Sequence, residues 1–121
     1  MDFMLLFHEA DSEVRKRGDP KEGAAYHGAW MAYVAALRGS GVVKAGAGLQ
    51  PAGTATTVCI RDGRRQVQDG PFADTREQLG GFFVIDVPTL DQALEWAARA
   101  PCAATGRTEV RPVMQPPAPS A

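Results

Sequence analysis

The chain has 121 residues, 45% hydrophobic and 22% charged, with thirteen basic and fourteen acidic side chains and a net charge of -1. That length supports one domain with a genuine core and leaves no room for a second independent one. The near-balance of charge provides no basic footprint for a phosphate backbone, so nucleic acid is not expected as a direct ligand.

The cysteines, Cys59 and Cys102, belong to no CxxC pair and no Cys/His cluster, so neither a disulfide framework nor a metal site is expected. No cofactor is expected either. The opening "MDFMLLFHEAD" lacks a basic leader and its apolar run stops after five residues, far short of a signal peptide or membrane span. The expectation is a soluble, cytoplasmic protein with no membrane partner.

In chain order, Phe3 to Phe7 predict a short buried strand. The charged stretch Glu9 to Gly23 contains "GDP" and reads as a loop with one helical turn at most. From Ala24 to Arg38, Trp30, Tyr33, Val34 and Leu37 recur at the i, i+3, i+4, i+7 spacing of one apolar helical face, and "GSG" at 39–41 stops the helix. Val42 and Val43 begin a second strand. The following "AGAGLQPAGTA" reads as a loop; its glycines suggest a phosphate loop, but no GKS or GKT follows and no helix opens there.

"TTVCIRDGRRQVQDG" is the strongest hairpin signal, with Asp62-Gly63 suited to a type I′ turn and Val58 set opposite Val67 on a face shared with Ile60. Asp74 and Glu77 have the spacing of a capping box for a short helical turn ahead of Gly80 and Gly81. "GGFFVIDV" is then a strand apolar on both faces. Leu90, Ala93, Leu94 and Ala97 predict a second helix closed by Pro101, "RTEVRPV" a final edge strand, and "QPPAPSA" a Pro-rich disordered tail from residue 114.

Without the hairpin arm, the order strand, helix, strand, strand, helix, strand is that of a ferredoxin-like, split βαβ α+β domain spanning 1–113. Its first and third core strands occupy the sheet centre, and these are the two strands with apolar residues on both faces. Two helices cover only one side of such a sheet. The other side then needs a cover, and a homodimer stacking sheet on sheet supplies it.

The segments "DFMLLFHEAD", "HGAWMAYVAALRGSGVV", "DGPFADTREQLGGFFVIDV", "LDQALEWAARAP" and "EVRPV" together resemble YCII-related proteins of the DGPF type. The resemblance runs from about Asp2 to Val113 and implies the dimeric α+β barrel fold. It also implies enzymatic activity built on a histidine near the start of the first helix and an acidic partner, although the wider group includes cofactor-free and haem enzymes alike; a small metal-independent enzyme is the expectation here. His27 holds that helical position here, and Asp69 is the acid of the DGPF signature. A second implication is regulatory: a non-catalytic, ligand-binding dimer linked to an extracytoplasmic-function sigma factor.

On residue chemistry, His27 shares a helical face with Trp30 and Val34, and the helix dipole near an N-terminus favours neutral imidazole, which can accept a proton. A histidine on such a face is equally at home as a hydrogen-bonded structural residue. Asp69 in "DGP" can accept backbone N–H groups in an Asx-type turn, or orient His27; the two roles are compatible. Gln50 offers an amide at the rim of a pocket, His8 ends the first strand, and Phe72 lies within the signature. These three are the candidate ligand-binding residues. The ligand they imply is a small, mostly apolar molecule.

Overall fold

A computed structural model describes residues 1–70 and 76–116 of the chain. Strand β1 (Asp2–Ala10) runs into a short helix α1 (Asp11–Arg15), a single 3-10 turn, and the long helix α2 (Glu22–Gly39). Strand β2 (Val43–Gly48), the hairpin strands β3 (Thr56–Arg61) and β4 (Arg64–Asp69), and β5 (Glu77–Asp86) follow. Helix α3 (Leu90–Arg99) and β6 (Arg107–Pro112) complete the domain.

The four core strands form one sheet in the order β2-β5-β1-β6, with every neighbouring pair antiparallel. This is the expected split βαβ order, with the first and third core strands at the centre. The reason lies in β1 and β5, whose side chains are apolar on both faces and so lose most by standing at an edge. The four strands form an open sheet.

Period-two alternation sends Phe3, Leu5 and Phe7 of β1 and Phe83 and Ile85 of β5 toward the helices. There they meet Tyr33 and Leu37 of α2 and Ala93 and Ala97 of α3 in one core cluster. The α2 face is the predicted one, with Trp30 and Val34 packed against it. On α3 the predicted stripe is rotated. Ala93, Ala97 and Ala100 are buried, whereas Leu90 and Leu94 stay exposed. Small residues let the helix lie close on the sheet, and Trp96 wedges beside them, its carbonyl accepting the Tyr33 hydroxyl at 2.8 Å.

Three local expectations are corrected. First, β1 does not stop at Phe7 but continues to Ala10 through a register shift after Phe7. Polar Glu9 suggested the start of a loop, yet the ladder to β5 pairs it with Gln78 and outweighs side-chain polarity. Second, β2 extends through the glycine-rich 45–48 segment that composition assigns to a loop. Gly46 is required there, because a Cβ would overlap the Phe83 ring on the neighbouring strand. Third, Glu77 is no helical cap. It opens β5, pairs with Ala10, and its carboxylate holds Arg107 Nε at 2.8 Å. The longer β1 creates the partner that makes this extension of β5 possible. Asp74, the other half of the expected capping box, lies outside the described residues, as does the tail from 117 onward.

The hairpin forms with Val58 opposite Val67, and Asp62 and Gly63 both have positive φ, as a type I′ turn demands. It is a separate two-stranded sheet. Its apolar face, Val58, Ile60 and Val67, is outermost at 54%, 59% and 53% exposure, while Thr57 and Cys59 on the opposite face are half-buried.

Candidate functional site

The described residues enclose a cavity of 520 Å³ between α2 and the end of the sheet where β1, β2 and β5 meet. Its walls are mostly apolar: Phe7, Trp30, Val34, Leu49 and Phe83. Phe7 is the hub of the aromatic wall, edge-on to Trp30 at 5.0 Å and to Phe83 at 6.0 Å between ring centroids. T-shaped contacts of this kind hold rings in fixed orientations. The wall is therefore firm enough to select a shape.

One polar constellation interrupts it. Glu9, the fourth inward residue of β1, is 2% exposed. Its carboxylate accepts the Tyr26 hydroxyl at 2.9 Å on one oxygen and the Arg17 guanidinium at 2.7 Å on the other. A buried carboxylate needs such partners, since desolvating an unpaired charge is prohibitive. Space for it comes from Gly80 across the β1–β5 ladder, where any Cβ would overlap the carboxylate and stand 2.6 Å from Cδ.

Burial pushes the Tyr26 hydroxyl far above its ordinary pKa; the Trp30 indole opposes that rise and the Glu9 carboxylate adds to it. Tyr26 is thus a neutral donor at physiological pH and cannot serve as a base. Trp30 Nε1 is itself buried without an acceptor in hydrogen-bonding geometry among the described residues. The short α1 and the 3-10 turn bring Glu13 and Arg17 to the cavity, so the charged stretch that reads as a loop is instead part of its wall.

His27 lines the cavity and is exposed at its mouth. Because α2 begins at Glu22, two residues earlier than predicted, His27 sits in the second turn, where the helix dipole has less hold on its ring. Asp69 is elsewhere: it ends β4, pairs with Thr56, and is not part of the cavity lining. Gly70, at φ 92°, turns the chain behind it, with its N–H on the Ala55 carbonyl at 2.6 Å. Among the described residues the carboxylate that shares the cavity with His27 is Glu9, with Glu13 on the same wall.

His8 points to the opposite face of the sheet, where Nε2 meets Glu109 Oε1 at 3.1 Å. Arg111 first, and His8 second, hold the Glu109 carboxyl below the usual range. Gln50 is exposed and follows Leu49, the last β2-side residue of the lining, without belonging to it. Phe72 lies outside the described residues. Cys102 is fully buried and its thiol is pushed up to about 11 by desolvation, which makes it a packing residue rather than a nucleophile.

Sequence reasoning missed Glu9, Tyr26 and Arg17. The signal was the alternation Phe3, Leu5, Phe7, Glu9, which continues the inward face one step beyond the apolar run. Among the described residues no group of three or more His, Cys, Asp or Glu side chains could hold a metal ion, and no helix is long and apolar enough to cross a membrane.

A family model for the YCII-related domain matches residues 1–116. An uncharacterised protein of Rhizobium meliloti strain 1021 is 46% identical over 67 residues, which are 54% of each chain. The chain thus spans about half the length of the curated relative it matches. Among solved structures, the fold is similar to that of 5-chloro-2-hydroxyhydroquinone dehydrochlorinase from Burkholderia phenoliruptrix, solved in complex with 2,5-dihydroxybenzoquinone. The TM-score is 0.54 over 96% of both chains, at 16% identity.

Proposed function

Because the chain belongs to the YCII-related domain family, we propose that it is a small enzyme carrying out acid–base chemistry on a ring-sized organic molecule held in the cavity between α2 and the sheet. The observation that carries this reading is the cavity itself. An aromatic wall of 520 Å³ scale with one fixed polar cluster and a histidine at its mouth is the composition of a small-molecule site. Phe7, Trp30 and Phe83 bind the ring. Tyr26, held by Glu9, presents a neutral hydroxyl to a polar substituent, and His27 moves the proton. Asp69 fits its turn role better than an orienting role, since Glu9 is the carboxylate within the same cavity.

The test is calorimetric titration with 2,5-dihydroxybenzoquinone, the molecule bound by the dehydrochlorinase of similar fold. Saturable binding to the wild type, abolished by a Trp30→Ala change that opens the aromatic wall, is the expected result. No heat of binding for this probe or for a panel of substituted phenols would sink the proposal. Binding without turnover would instead favour the ligand-responsive regulatory dimer.

The homodimer belongs to the same reading. Met4, Leu6, Phe82 and Val84 lie on the sheet face away from both helices, and the hairpin adds the exposed face of Val58, Ile60 and Val67. Stacking the two sheets of a pair buries side chains each worth roughly 1.5–3 kcal/mol. Sedimentation equilibrium is expected to return twice the chain mass, 2 × 12.9 kDa, and a Leu6→Asp variant to sediment as a monomer. A wild type that stays monomeric at high concentration overturns it.

A further inference from the structure

The charges around the cavity are not all accounted for by one another. Glu9 is matched by Arg17 at 2.7 Å and Glu13 by Lys16 at 3.5 Å. Arg38 lines the same cavity and makes no ion pair or hydrogen bond among the described residues; its guanidinium lies over the Phe83 ring, 5.4 Å from the centroid. Each carboxylate of the lining already has its cation, so among the described residues Arg38, exposed at the edge of that wall, is left without an ionic counterpart. A guanidinium held over a ring face keeps its N–H donors free to take a planar acid.

Position along the helix says how far this charge is from the chemistry. His27, Trp30, Val34 and Arg38 follow one another at helical steps of three and four and all line the cavity. Eleven residues separate His27 from Arg38, a rise of ~16 Å along the axis, shortened because long helical side chains lean back toward the N-terminus. Between these ends the α2 wall is Trp30 and Val34, with Phe83 across from them. The cavity therefore has a proton-transfer end at His27, an apolar middle, and a cationic end at Arg38.

We propose that the molecule this cavity takes is an arylalkanoate, with its ring against Trp30 and Phe83 and its acid group on Arg38, remote from the reacting end at His27. This inference rests on the reading of the cavity as a small-molecule site and adds the charge and the length of the ligand to it. A free carboxylate on a short chain, rather than a bare neutral ring, satisfies both ends at once.

Calorimetry with the matched pair 3-phenylpropanoate and 3-phenylpropan-1-ol tests it, since the two differ in the acid group alone. The wild type is expected to bind the acid up to about fivefold more tightly than the alcohol, the scale of an ion pair made by an exposed guanidinium, and the preference is expected to shrink as salt is raised. In Arg38→Gln the acid is expected to fall to the affinity of the alcohol while the alcohol itself binds as before. That unchanged alcohol affinity also certifies an intact cavity. Equal binding of the two probes by the wild type, or a preference that survives in Arg38→Gln, overturns the assignment of the acid to Arg38 and leaves the small-molecule site standing. Failure of both probes to bind overturns the inference alone; the reading on which it rests falls only if 2,5-dihydroxybenzoquinone and the substituted phenols fail to bind as well.

Discussion

A Gly80→Ala variant is expected to lose about 2–4 kcal/mol of stability, the sum of overpacking a tight site and disturbing buried charge-assisted hydrogen bonds. Gly80 is not in a turn; it stands within β5, and its missing side chain is the space that the Glu9 carboxylate occupies. An added methyl must displace a group that is 2% exposed and fixed by both Tyr26 and Arg17. For a chain of this size the midpoint of thermal unfolding should drop by ~8–16 °C. The double variant Glu9→Ala, Gly80→Ala supplies the control. With the carboxylate gone, the methyl has room, so the second change should cost far less in that background than alone. Strictly additive losses in this cycle would mean that the two residues do not share the space.

The second large effect is catalytic. His27→Ala is expected to remove a general acid–base contribution of about 10²–10⁴-fold while leaving the far-ultraviolet circular dichroism spectrum and the melting midpoint unchanged. The side chain is exposed and makes no hydrogen bond within the described residues, so its loss opens no hole in the core. A suitable readout is deuterium exchange into the ring C–H positions of 2,5-dihydroxybenzoquinone in D2O, which requires a proton to be delivered to carbon and removed again. The wild type should accelerate this exchange with a pH profile that the variant lacks. Equal rates from the two proteins would take His27 out of the reaction. By contrast, Asp69→Asn should leave the rate within a few-fold, because Asp69 lies outside the lining that His27 shares with Glu9.

The strand order was legible from the sequence because apolar residues on both faces of a segment admit a sheet centre and little else, and 3–7 and 82–85 are such segments. The hairpin was legible because Asp62-Gly63 permits the positive φ of its turn at little cost. What could not be read locally were the places where pairing decides. The segment 45–48 has the composition of a loop and becomes a strand because β5 offers it a ladder. Glu77 has the spacing of a cap and becomes the first rung of β5 because β1 reaches Ala10. The site followed the same division. His27 came from the family resemblance, with its helical phase placing it on the face of Trp30 and Val34, whereas Glu9 was hidden by its own charge: an acid after an apolar run marks a strand end in composition, although the alternation from Phe3 carries it inward opposite Gly80.

The pairing of β1 also sets the order in which the molecule can be made. Within this domain the central strand β1 is made before the strands it pairs with, since its neighbours β5 and β6 follow all the other strands among the described residues; Phe3 faces both Ile85 and Pro112. Until β5 has left the exit tunnel, "FMLLF" has neither of its native neighbours. Closing so long a loop is entropically slow, and an unpaired apolar strand is the species most open to intermolecular pairing in the meantime. A segment that ends as the most protected part of the native protein is thus its most exposed part during birth. Truncation near the C-terminus would harm the fold not by shaving an edge, but by leaving the first-made strand with half its sheet.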